Sequence, residues 1–115
     1  MSRVKRGMAT KKRHKRLLKQ TKGYYGQRKN VFCRAKETLM RAWAYAFHGR
    51  KLKKRNMRTL FIVRINAAAR TFGYSYSTFI ANLKKSNIVL NRKMLAQIAV
   101  FEPSVFAKIV DATKK

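Results

Sequence analysis

A chain with thirty Lys and Arg residues and only three acids, Glu37, Glu102 and Asp111, has no internal means of neutralising itself. Its formal net charge is +27 over 115 residues. The imbalance is concentrated in residues 1–60, which carry 21 of the 30 cations and a single acid. Like charge at that density opposes compaction unless a polyanion neutralises it. The simplest polyanion is nucleic acid, whose phosphates release counterions when Lys and Arg replace them.

The length allows one small domain. A hydrophobic fraction of 46% is too high for a purely disordered polycation. Apolar residues are sparse from Met1 to Tyr24 and come in helix-period groups from Thr59 to Thr113. The reading is a basic arm over 1–24, a long basic helix over 25–58 and a small helical domain over 59–115. A core drawn from so few residues is marginal by itself, so a binding partner is expected to help fix the structure.

The arm, residues 1–23, contains eleven Lys, Arg or His residues and one apolar pair, Leu17 and Leu18. Its candidate phosphate contacts are Arg3, Lys5, Arg6, Lys11, Lys12, Arg13, His14, Lys15, Arg16, Lys19 and Lys22. With nothing to bury, it is expected to be extended, and disordered in the absence of nucleic acid. Tyr24 and Tyr25 sit between Gly23 and Gly26. They either stack on bases or pack on the following helix.

From Gln27 to Arg58 there is no proline, and Phe32, Ala35, Leu39, Ala42 and Ala46 share one helical face, widened by Trp43 and Phe47. Arg34, Arg41, His48 and Arg55 recur on another face, and Arg28 and Lys29 lie at the entrance. Glu37 is placed to pair with Arg41 one turn on. Gly49 marks a kink or break. Residues 50–58 hold six cations, Arg50, Lys51, Lys53, Lys54, Arg55 and Arg58, which point in every direction on a helix. A one-sided contact needs one basic face; charge all round fits insertion between nucleic-acid segments.

Beyond Arg58, Leu60, Phe61, Val63, Ile65, Ala67, Ala68 and Phe72 form a broad apolar surface, read as a largely buried helix that also carries Arg64 and Arg70. Gly73 is a natural stop. Ser75 or Ser77 caps a helix with Tyr76, Phe79, Ile80 and Leu83 on one face, and Asn87 can end it in a left-handed turn. Asn91 caps a third helix with Met94, Leu95 and Ile98 inward, and Pro103 starts a fourth burying Phe106, Ile109 and Val110. No alternating strand pattern of useful length occurs, so the fold class is all-α: a basic N-terminal extension and long helix, then a small globular helical domain.

Catalytic chemistry finds no support. There is no phosphate-binding glycine loop and no nucleophile or zinc-protease motif. The lone Cys33 permits no intramolecular disulfide and is read as a buried small hydrophobe. His14 and His48 have no further ligand at metal spacing, so neither a metal nor a cofactor is expected. No run approaches the length of a membrane span, and cationic membrane helices segregate charge from apolar residues, which 50–58 does not. The competing reading is a histone-like DNA-compacting protein, which shares the charge but needs a groove-reading helix or wedge.

Several strings go beyond composition. They are Arg3-Val4-Lys5-Arg6-Gly7, Arg13-His14-Lys15, Lys22 to Gly26, Arg64 to Arg70 (RINAAAR), Ser75-Tyr76-Ser77 and Leu90-Asn91-Arg92-Lys93. With them the chain resembles the bacterial-type large-subunit ribosomal protein L-twenty family from end to end. The resemblance implies a non-catalytic protein that binds large-subunit rRNA directly, through the cations and tyrosines named above, and supports early subunit assembly. It implies neighbouring large-subunit ribosomal proteins as further partners and, in some members, the protein's own mRNA as a second target of the helical domain. It implies a ribosome of the bacterial cytoplasm, or of an organelle. The chain departs from the family pattern at Phe47-His48-Gly49-Arg50-Lys51, where many members carry an acid, and at Phe61, where tryptophan is usual.

Overall fold

A computed structural model describes Arg3 and residues 5–113. Met1, Ser2, Lys114, Lys115 and Val4, which belongs to the first matching string, lie outside the described residues. The described elements are helices α1 (Gly7–Gln20), α2 (Phe32–Thr71), α3 (Tyr76–Lys85), α4 (Arg92–Phe101) and α5 (Pro103–Ala112). A single 3-10 turn (Gly26–Lys29) lies between α1 and α2, and no strand occurs among the described residues. The chain is all-α, as the sequence pattern predicts. It falls into two compact units, 1–50 and 51–115, whose boundary lies inside α2.

In the first unit the arm is helical over Gly7–Gln20 and not extended. The Lys, Arg, Leu and Ala residues of this segment are good helix formers with no β-branched run to oppose them. Helix α1 has no fully buried residue, but its apolar side has a partner that sequence alone did not supply. The His14 imidazole stacks on the Phe32 ring of α2, with centroids 4.0 Å apart and planes 21° apart. Thr21, fully buried, ends the helix: its hydroxyl lies 3.2 Å from the Leu18 carbonyl and 3.4 Å from that of Lys29. It thereby ties the end of α1 to the 3-10 turn. The long helix accordingly begins at Phe32, later than Gln27, and buries Ala35 and Leu39. Cys33 is exposed and not buried, because it lies one residue off this stripe.

Helix α2 continues for 40 residues. It runs through Gly49 without a break, and Gly49 has no neighbour where a Cβ would stand. Its last turns bury only a narrow stripe, Ile65 and Ala69, flanked by the partly buried Phe61 and Ala68. Leu60, Val63 and Phe72 are exposed, so the broad apolar surface read from the sequence is not largely buried. At Gly73 (φ 80°) the amide donates to the Arg70 carbonyl at 3.0 Å and that of Tyr74 to Ala69 at 3.1 Å. This paired arrangement closes a helix through a left-handed residue.

The second unit is a small helical core. Ile65 and Ala69 of α2, Phe79 and Leu83 of α3, Leu95 and Ala96 of α4, and Phe106 and Val110 of α5 form one buried cluster. The local signals hold. Ser75 Oγ accepts from the Thr78 amide at 3.3 Å and Asn91 Oδ1 from the Met94 amide at 2.8 Å. Asn87 is left-handed (φ 53°), and Pro103 occupies the first turn of α5. Met94 is exposed rather than inward: its amide serves the cap while the neighbouring Leu95 and Ala96 take the buried face. The Phe79 and Phe106 rings meet at 5.4 Å and 41°, a tilted contact that adds about 0.5–1.5 kcal/mol beyond burial.

Two substitutions test this description. Phe79→Ala removes the ring at the centre of the cluster and is expected to cost about 3–5 kcal/mol, comparable to the whole stability of so small a core. Circular dichroism of the full chain should lose the helicity of residues 59–113 near room temperature. Gly49→Ala, in open space on a continuous helix, should stabilise α2 by about 1 kcal/mol. A lower thermal midpoint for that variant would mean the helix bends at Gly49.

Candidate nucleic-acid interface

The cations read from the sequence as phosphate contacts are overwhelmingly solvent-facing. On α1 the side chains of Lys11, Lys12, Arg13, Lys15, Arg16 and Lys19 are exposed, as are Arg3, Lys5 and Arg6 before it. Helix α1 has no acid in its first turn. His14 is the exception on this helix, half-buried because one ring face covers Phe32.

The junction after α1 presents Lys22, Tyr25, Arg28 and Lys29 outward. The two tyrosines separate: Tyr25 is 92% exposed, whereas Tyr24 is half-buried. Left-handed glycines on either side, Gly23 (φ 87°) and Gly26 (φ 55°), set this turn. Of the two readings of the pair, exposure leaves Tyr25 the one with its ring open to stacking.

Along α2, Arg34 and Arg41 are drawn together by Glu37, at 3.7 Å and 2.9 Å. These exposed pairs are worth little in stability, but they consume the one acid of the first unit. Every residue from 43 to 60 is then exposed. That stretch holds all six cations of the 50–58 cluster together with exposed Trp43, Tyr45, Phe47, Leu52 and Met57. A helix with no buried residue over so many turns, and with cations and aromatics interleaved, has side chains of the kinds that contact phosphates and stack on bases. Arg64 and Arg70 are exposed on the last turns of α2.

Two cations outside the sequence reading belong with this set. Lys36, one turn from Phe32 on α2, lies alongside Arg13 and Arg16 of α1. Its alternation with the buried Ala35 was the available signal. Arg92 is half-buried, and its Nε donates to the Tyr76 hydroxyl at 2.9 Å. Tyr76 lies in the Ser75-Tyr76-Ser77 string and Arg92 in the Leu90 to Lys93 string, which could have drawn attention to both. Among the described residues no group of His, Cys, Asp or Glu is placed to hold a metal, and no helix is long and apolar enough to cross a membrane.

Comparison with known proteins shows the family to which the chain belongs. The family model described as Ribosomal protein L20 matches residues 3–109. The chain belongs to that family. A protein of Clostridium novyi named large ribosomal subunit protein bL20 is 52% identical over 115 residues, covering all of this chain and 97% of the relative. The protein of the same name from Clostridium botulinum strain Hall shows the same identity and coverage. Ribosomal protein L20 is a structural component of the ribosome and not an enzyme.

Removing the charge of Arg50, Lys51, Lys53, Lys54, Arg55 and Arg58 together should flatten the logarithmic salt dependence of RNA affinity by about 4–5, at 0.7–0.9 per lost phosphate contact. Filter binding across a salt series measures the slope. An unchanged slope would place the cluster in solvent.

Proposed function

We propose that this protein is a structural, non-catalytic constituent of the large ribosomal subunit that binds large-subunit rRNA directly and supports early subunit assembly. The observation that carries the reading is the bare cationic stretch of α2, in a chain whose family match runs almost from end to end. A helix exposed on all sides and charged on all sides has no stable free-standing purpose. It becomes favourable when phosphates from several RNA segments surround it.

Within that role we assign a division of labour. Residues 1–24 act as a basic arm, residues 25–58 as the helix inserted into RNA, and residues 59–115 as the globular domain. Support for it comes from the exposure of the cations on α1 and α2 and from the buried cluster beginning at Ile65. The partners are rRNA and neighbouring ribosomal proteins, and the bacterial relatives point to a cytoplasmic ribosome. Binding of the protein's own mRNA by the globular domain is the finer extension of this reading. A translational reporter fused to the start of that mRNA should be repressed when residues 59–115 are overproduced; an unresponsive reporter rejects the extension alone.

The direct test is to tag the chain in its host, purify it at moderate salt and sequence what accompanies it. Large-subunit rRNA in early assembly particles is expected. Chromosomal DNA in its place would favour the DNA-compacting alternative and sink the ribosomal role.

A further inference from the structure

Between α1 and the first turns of α2, inside the first unit, lies a cavity of about 390 Å³. That volume falls within the range of sites that take a small planar ligand, about 300–1,000 Å³. Leu17, Phe32 and Leu39 give it an apolar lining, and Trp43 adds an indole that is 56% exposed. Stacking by His14 at 4.0 Å fixes the plane of the Phe32 ring. Three cations, Arg13, Arg16 and Lys36, also line the cavity.

The combination selects its occupant. An apolar, partly aromatic cleft ringed by cations suits a flat apolar group with negative charge directly attached. A nucleotide carries both within one residue. The first unit has one acid, Glu37, and it is already taken by Arg34 and Arg41. The cations at the cavity therefore lack a carboxylate partner within their own unit, and charge complementarity points outward to phosphate. A paired duplex keeps its base faces stacked inside the helix and cannot fill the cleft. A base splayed out of a bulge or loop can, stacking on an aromatic side chain.

We infer that this cavity holds one unstacked base of the bound RNA, its face against the Trp43 indole and its flanking phosphates on Arg13, Arg16 and Lys36. The inference rests on the rRNA-binding reading and adds to it the structural feature that this face recognises. Stacking on an aromatic wall tolerates any base, so the preference is for an unpaired nucleotide and not for a sequence.

Trp43 is the only tryptophan of the chain, so its fluorescence reports on the cavity alone. The test uses the full chain with two synthetic RNA hairpins, one carrying a single-adenosine bulge and the other fully paired. The bulged hairpin should quench Trp43 and bind about tenfold tighter, the effect of one base stacked on an aromatic ring. Trp43→Ala should erase that preference, whereas Trp43→Phe should retain most of it. Because Trp43 is largely exposed, both variants should keep the circular dichroism of the parent. Equal quenching and equal affinity for the two hairpins, or a preference that survives Trp43→Ala, overturns the inference. So does quenching by ribosomal proteins alone with no response to either hairpin, which would make the cavity a protein contact. In each of these cases salt-dependent rRNA binding would stand. Loss of affinity for all RNA in the parent chain would instead remove the proposed function on which the inference rests.

Discussion

Repulsion among cations that outnumber acids ten to one governs this molecule. On α2 it acts between residues one turn apart. Lys51 and Arg55, and Lys54 and Arg58, stand at i, i+4, where like charges each cost about 0.2–0.5 kcal/mol. Residues 38–101 contain no carboxylate. In the free chain the middle of α2 is thus held by backbone hydrogen bonds and good helix formers against its own electrostatics. Phosphates reverse the sign of that contribution, since every cation then gains a counter-charge and releases a condensed ion.

A helix under this load needs anchors, and α2 has one in each unit. Ala35 and Leu39 are buried near its start, and Ile65 and Ala69 near its end. None of the residues from 43 to 60 is buried. Burial at the termini offsets the entropic cost of ordering the helix and leaves the central turns available. Helix formation is cooperative, so two packed ends propagate order into a middle that would not sustain it alone. The second anchor is the firmer one, because three further helices close over it around Phe79 and Phe106.

What was legible in the sequence follows from how local the determining chemistry is. The caps at Ser75 and Asn91, the left-handed turns at Gly73 and Asn87, and the start at Pro103 each depend on a few adjacent residues, and each was readable. So were the buried positions of α3 and α5, where one apolar face meets one core. Readings failed where the answer lay across a gap in sequence. Helix α1 looked unsupported because Phe32, the ring that covers His14, belongs to another element. Leu60, Val63 and Phe72 looked buried because apolar periodicity does not reveal how wide a face the neighbouring helices can cover. The cations were legible as a set from composition alone. Their grouping was not, since Arg13, Arg16 and Lys36 converge only once α1 folds back along α2.

The most specific strings of the chain have a physical reason for their positions. Ser75 caps α3 and Asn91 caps α4, so Tyr76 and Arg92 are the first residues of those two helices. The hydrogen bond from Arg92 Nε to the Tyr76 hydroxyl therefore ties the two helix starts together, while Phe79 and Leu95 pack in the shared core below. A lysine in place of Arg92 would keep the charge but lose the planar fork that fixes the direction of this donor. The same position carries an electrostatic cost. Arg92 and Lys93 occupy the first turn of α4, where the helix dipole favours anions by about 0.3–1 kcal/mol per charge. No acid lies in the first turn of that helix to compensate. The hydrogen bond to the Tyr76 hydroxyl is what Arg92 gains there in return, whereas Lys93 is exposed.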